Sequence, residues 1–290
     1  MGKKVKFPYG SPYAPASPLQ EIFYCLAAHA VAVVGMVDAI AAYKEAFSSY
    51  RKSTMEYAKY SILLGLLGTV LSLALAVAFF IMLMLFSGSF SALSVVASDL
   101  SFGIAGIAAI FIVLGIGALA FIWMEMGLTG AYLETINLIL SGKKQTLNGF
   151  FSAMPRRATP LTAIAIISSI VMIAPLLAFM LLALMAASGN PFSAVAIVIM
   201  LVGALFSFFL FLLMAFAIPC SIVDGKGAID SVRRSFKLGA GNLAGLVVFY
   251  IAGTILVLPA LIPFVGVLYA ILFAGPVMNG ALITMYKNAK

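Results

Sequence analysis

The chain has little charge. Of its 290 residues, 17 are Lys or Arg and 9 are Asp or Glu, so 9% are charged; a soluble domain carries roughly a quarter. Too few polar residues remain to cover a soluble core of this apolarity, which excludes an ordinary water-soluble domain. Histidine occurs once, as His29. A Ser-His-Asp arrangement would have to use it, yet Asp38 follows nine residues later, two and a half turns on and on the opposite helix face. The two cysteines, Cys25 and Cys220, form no CxxC pair. With one histidine and nine scattered acids, no spacing offers the three or four convergent ligands of a metal centre. No P-loop or dinucleotide fingerprint occurs. The chain is therefore expected to be non-enzymatic and to need no cofactor.

Apolar residues fill the space that charge leaves. They make up 64% of the chain, with mean hydropathy +1.19. A hydrocarbon core needs about 20 apolar residues of helix, and six stretches qualify: Ser61–Phe86, Phe102–Met124, Leu161–Ala187, Phe192–Pro219, Leu243–Pro259 and Phe264–Met285. Pro160 stands where the third would begin. Pro259 and Pro263 bracket a tight turn, and Pro175 and Pro276 predict kinks. The pattern predicts an all-α polytopic transmembrane helical bundle with six spans plus amphipathic interfacial helices. Three parts follow: a flexible tail over 1–19, an amphipathic helical segment over 20–58, and the six-span domain over 59–290.

The positive charges sort by side. Lys44, Arg51, Lys52 and Lys59 precede the first span, and Lys143, Lys144, Arg156 and Arg157 separate the second from the third. Lys226, Arg233, Arg234 and Lys237 separate the fourth from the fifth, and Lys287 and Lys290 close the chain. The alternate loops hold no Lys or Arg, and Asp99 is their only charge. The positive-inside rule then places both termini in the cytoplasm of a multi-pass protein of the cell membrane. Net charge of +8 is explained by this topology and by anionic headgroups; no nucleic-acid motif accompanies it. Ile22–Ala42 leaves two readings open. An interfacial or cross-bundle helix is favoured over a seventh span, because His29 and Asp38 interrupt it and alanine contributes little to insertion.

The island AIDSVRRSFKL reads as an amphipathic helix, with Ala228, Ile229, Val232 and Phe236 on one face. Asp230, Arg233, Arg234 and Lys237 lie opposite, and Asp230 can pair with Arg233 or Arg234. Leu133–Phe151 and Ala39–Tyr60 resemble it, which suggests three units, each an interfacial helix followed by a two-span hairpin. Such units would either surround a central crevice or pack as three hairpins. Gly65 and Gly68, Gly103 and Gly106, and Gly115 and Gly117 form small-residue patches expected at helix contacts.

Pro219, Asp224-Gly225, Ala228, Ser235-Phe236 and the terminal Tyr286 resemble a broad group of six-span membrane proteins of mostly unknown function. The group includes the membrane domain attached to some glycerophosphodiester phosphodiesterases. The resemblance covers the last quarter of the chain and implies the six-span layout. The phosphodiesterase catalytic domain has no counterpart here, so its activity is not implied.

The candidate functional polar residues are Glu125, His29 and Asp38. Glu125 follows the second span beside Trp123, where an acid marks an ion path, a helix pair or an interfacial position. Glu134 is read as solvated. Arg156, Arg157, Arg233, Arg234 and Lys237 are candidate headgroup-facing residues. The expected partners are membrane lipids with anionic headgroups, and a membrane-protein partner or second copy of the chain; nucleic acid is not among them. Transport of a small solute or lipid is the alternative activity, though few polar groups near the midplane support it.

Overall fold

The computed structural model describes residues 38–96, 100–186, 193–263 and 265–290. Expectations for the tail over 1–19, for His29, Cys25 and Asp99, and for Ile22–Ala42 up to residue 37 lie outside them. Among the described residues there is no strand. A helix over 38–52 (α1) is followed by α2 (Thr54–Val96), α3 (Leu100–Leu140), α4 (Leu147–Ala186) and α5 (Ala194–Met214). Two short helices, α6 (Ala217–Asp224) and α7 (Ala228–Gly241), lead to α8 (Leu243–Val257). The chain then turns through Leu258–Leu261 into α9 (Val265–Tyr269), a π-helical turn over Ala270–Ala274, and α10 (Gly275–Asn288). Six helical runs are long and apolar enough to cross a bilayer, so the chain is an all-α multi-pass membrane bundle.

The spans close into a ring in chain order. Each of α2 to α5 packs on the next, α5 on α8, and the π-turn on both α8 and α2. This favours a central crevice over three separate hairpins. The described basic segments meet at one end of the ring, called here the basic end. Tyr60 at the start of α2 donates to Gln145 O before α4, and Tyr286 on α10 donates to Asp224 on α6.

Several helices run further than their apolar stretches. α3 continues sixteen residues past Met124 and ends on Gly142, whose φ of 71° suits glycine. Lys143 N–H bonds Leu138 O and Gly142 N–H bonds Ile139 O, which satisfies the last carbonyls. Leu133–Phe151 is thus a corner between two helices rather than one amphipathic helix. α4 begins at Leu147, so Pro160 lies inside it with Pro155 and Pro175, and the helix is not interrupted at any of them.

Two other prolines do distort their spans, Pro219 by a break and Pro276 by a π-turn. Pro219 lacks an N–H and its ring conflicts with the carbonyl four residues back. The helix breaks between Met214 and Ala217. Ser235 on α7 bridges the break: its Oγ donates to Leu213 O at 2.8 Å and accepts from Phe216 N at 3.0 Å. Pro276 conflicts in the same way with Leu272 O. There the chain adopts the π-turn, and Tyr50 on α1 donates to Leu272 O at 2.9 Å. Burial raises the pKa of the Tyr50 hydroxyl, which keeps it a proton donor.

The glycine contacts differ in part from expectation: a carbon added at Gly65 would lie 3.8 Å from Ile271 of another helix, as expected, and the surroundings of Gly103 and Gly106 lie outside the described residues. A side-chain carbon added at Gly68, Gly115 or Gly117 would meet nothing within 4 Å. The close approaches are elsewhere. Carbons added at Gly130 and Gly239 would lie 2.5 Å from Arg157 Cβ and 2.9 Å from Leu213 Cα.

Ala228 and Val232 pack against the core as expected, but α7 otherwise differs. Its buried stripe is Ser231, Ser235 and Gly239, while Ile229 is 76% exposed. The helix has three faces. Small residues meet the bundle, Ile229 and the half-buried Phe236 flank them, and Asp230, Arg233 and Lys237 face outward. Asp230 forms no ion pair among the described residues; Arg234 reaches Asp224 instead, at 3.4 Å.

Candidate functional site

Inside the ring, at the level of the Pro219 break, lies a crevice of about 300 Å³. Five spans and α6 contribute to it. Leu133, Ile164, Met172, Phe211, Ile218 and Ile283 make most of the wall apolar. Four neutral polar side chains interrupt that wall: Thr129 on α3, Ser168 on α4, Tyr250 on α8 and Asn279 on α10. Asn279 spends one amide hydrogen on Gly275 O, at 2.9 Å. Among the described residues no Asp, Glu, Lys, Arg or His lines the space. The volume is at the lower end of ligand pockets, and an apolar wall with a few fixed polar groups is their usual composition.

Below the crevice, toward the basic end, two carboxylates bind the elements together. Glu134 on α3 receives Arg156 at 2.5 Å and Arg157 at 2.6 Å from α4. Arg157 also donates to Ser221 O at 3.0 Å and Ile222 O at 3.4 Å, among the terminal carbonyls of α6. A cation at a helix C-terminus also meets the negative end of the dipole. The second carboxylate, Asp224, ends α6 just before Gly225, whose φ is 65°. It accepts from Tyr286 at 2.5 Å and from Lys290, and pairs with Arg234. The crevice floor, at Ile222 and Ile283, therefore rests on a charged clasp.

Glu134 is not solvated, as its sequence context suggested; its side chain is 15% exposed, between two arginines. Three candidate headgroup residues, Arg156, Arg157 and Arg234, spend their charge on these acids. Arg233 and Lys237 are exposed on α7. Glu125 is exposed on α3, near Trp123, whose indole donates to Thr159 at 3.2 Å. Asp38 is half-buried at the first described residue of α1. The structure brings none of Glu125, Asp38, Arg233 and Lys237 to the crevice.

Sequence reasoning missed Thr129, Ser168, Tyr250 and Asn279. Their signal was available as isolated polar residues near or within long apolar runs, but helical phase alone does not say which converge. No protein-family model matches the chain, and neither a curated protein nor a solved structure matches it. Pro219, Asp224, Gly225, Ser235 and Tyr286 lie together at the basic side of the crevice. Pro219 sets the break, Ser235 bridges it, and Asp224, Gly225 and Tyr286 form the clasp beneath it.

Proposed function

We propose that this integral membrane protein is a non-enzymatic lipid-binding protein, holding part of a lipid in the crevice between α3, α4, α5, α8 and α10. The observation that carries this reading is the uncharged, largely apolar wall interrupted by Thr129, Ser168, Tyr250 and Asn279. Apolar groups suit an acyl chain, and hydroxyl and amide groups suit an ester or hydroxyl of the same molecule. Among the described residues the wall offers no carboxylate, histidine or cysteine for acid–base or nucleophilic work. In this reading the basic end faces the cytoplasm of a cell membrane, because Lys and Arg concentrate on retained loops. The sequence resemblance to six-span membrane domains agrees with this layout and adds no activity.

Native mass spectrometry of the protein, released gently from its own membrane, tests the proposal. The expected result is one lipid retained in stoichiometric amount and lost in Ser168→Phe, which fills the crevice. Ile170→Phe, on the exposed side of the same helix, should keep it. Absence of bound lipid, or equal retention in both variants, overturns the reading. A stoichiometric protein subunit in place of lipid would instead support a partner-binding role.

Passage of a small solute or lipid is a second reading. The observation that favours it is the broken span, whose Ala215 and Pro219 line the crevice; transporters place broken helices at their sites. Reconstituted vesicles decide between the two. Transbilayer movement of a labelled lipid, abolished by Ser168→Phe, would replace static binding with transport.

A further inference from the structure

A second hollow, of about 590 Å³, opens at the basic end between α1 and the last turn of α3. We propose that it binds a phosphorylated ligand, through Lys44 and Lys52 with the serines between and beside them. Lys44, Ser48 and Lys52 recur every four residues and so share one face of α1. The two lysines are about 12 Å apart along the helix, with Ser49 and Ser53 adding hydroxyls to the same wall. The facing wall is Ile139, Leu140 and the Gly142 turn, and the exposed Lys143 and Lys144 follow that turn directly.

The donors of this hollow are in surplus. Among the described residues neither Lys44 nor Lys52 forms an ion pair, unlike Arg156, Arg157 and Arg234. Ser49 shares a hydrogen bond with the Tyr57 hydroxyl at 3.2 Å, while Ser48 and Ser53 have no side-chain hydrogen bond among the described residues. One acid, Glu45, lines the space, and its charge acts on Lys287 of α10. Two ammonium groups and free hydroxyls on one wall match the several acceptor oxygens and negative charge of a phosphate ester. The volume exceeds a bare phosphate and leaves room for the esterified group. The ligand can come from the bilayer, as a lipid headgroup, or from solution, as a free phosphate ester. This hollow is separate from the crevice, and the inference does not rest on lipid occupying the crevice.

The test uses the full chain in nanodiscs of phosphatidylcholine. One arm adds inorganic phosphate and O-phosphoethanolamine in solution; the other builds phosphatidic acid into the disc. Bound ligand is counted by native mass spectrometry, and soluble affinity by calorimetry. Lys44→Gln with Lys52→Gln should lower binding at least tenfold in whichever arm binds. Arg51→Gln with Lys226→Gln removes the same charge outside the hollow and should stay within twofold. Ser48→Asp keeps both lysines, places a carboxylate between them, and should repeat the loss, which guards against misfolding of the double variant. Binding in the soluble arm identifies a free ester, and binding in the phosphatidic acid arm alone identifies a headgroup. No binding in either arm, or equal losses in the two double variants, overturns the proposal.

Discussion

The two ends of the bundle are built differently. At the basic end, Tyr57, Tyr60, Phe150, Phe216, Phe249 and Tyr286 are all fully buried, and Tyr60 stacks on Phe150 at 5.5 Å. Farther along the same spans the large side chains face outward: Val70 is 65% exposed, Ile116 63%, Ile170 61% and Ile255 63%. The α4–α5 hairpin is the exception, since a carbon added at Gly203 would lie 2.5 Å from Phe179 Cβ. Lipid tails are as apolar as leucine, so burial away from them drives little association. Near the interface, water returns, and with it the gain from burying aromatic rings. Stability and specificity should therefore concentrate at the basic end, while the far half is left to the bilayer.

Truncations at matched helices test this contrast most strongly. Phe150→Ala removes a fully buried ring and should cost about 3–5 kcal/mol. Ile170→Ala, on the same helix but facing outward, should cost less than about 0.5 kcal/mol. Thermal unfolding in one detergent, followed by circular dichroism, compares them; equal losses would end the distinction. Next comes the clasp. Glu134→Gln leaves Arg157, 15% exposed, without its countercharge, and should cost about 3 kcal/mol. Hydrogen exchange should also rise in α6, whose last carbonyls Arg157 holds; an unchanged exchange rate there would remove the clasp from the account.

The far half was the more legible in sequence, and for a physical reason. Where lipid is the solvent, apolarity and length alone define a span, so the run that begins at Leu161 lies in α4 up to its last described residue, Ala186, and most of Leu243–Pro259 lies in α8. The basic end obeys packing, which periodicity does not report. α7 looked like a helix with an apolar face of Ala228, Ile229, Val232 and Phe236; Ala228 and Val232 do pack on the core, yet the most deeply buried stripe is Ser231, Ser235 and Gly239, and Ile229 is left exposed. Serine there is buried because a broken span offers it a carbonyl and an N–H. The same logic hid the crevice. Ser168 and Asn279 lie more than a hundred residues apart in sequence, and only the closure of the ring joins them.

Ser235→Ala sharpens the comparison at the next scale down. It leaves Leu213 O and Phe216 N–H without their bridge, and two unmet buried groups should cost about 2 kcal/mol. Ser207→Ala removes only a long contact of 3.4 Å to Met172 O, away from the basic end, and should cost less than about 0.5 kcal/mol. A double variant with Pro219→Ala separates cause from consequence. If the proline creates the need for Ser235, restoring a backbone N–H at position 219 should recover part of the loss; no recovery would assign the break to some other contact.

The smallest expected effect carries a change of sign. Gly115 and Gly239 both lie in helices, but a carbon added at Gly115 meets open space, whereas at Gly239 it meets the Leu213 backbone. Alanine gains up to about 1 kcal/mol over glycine inside an exposed helix. Gly115→Ala should therefore hold or raise the melting temperature. Gly239→Ala earns the same local gain but must push α7 away from α5, and overpacking of this kind costs about 1–3 kcal/mol. The net should be a loss of about 1 kcal/mol. Backbone, unlike the tip of a flexible side chain, has little room to yield. If both substitutions stabilise, α7 rests on the bundle more loosely than its 2.9 Å approach implies, and the basic end would share the tolerance of the far half.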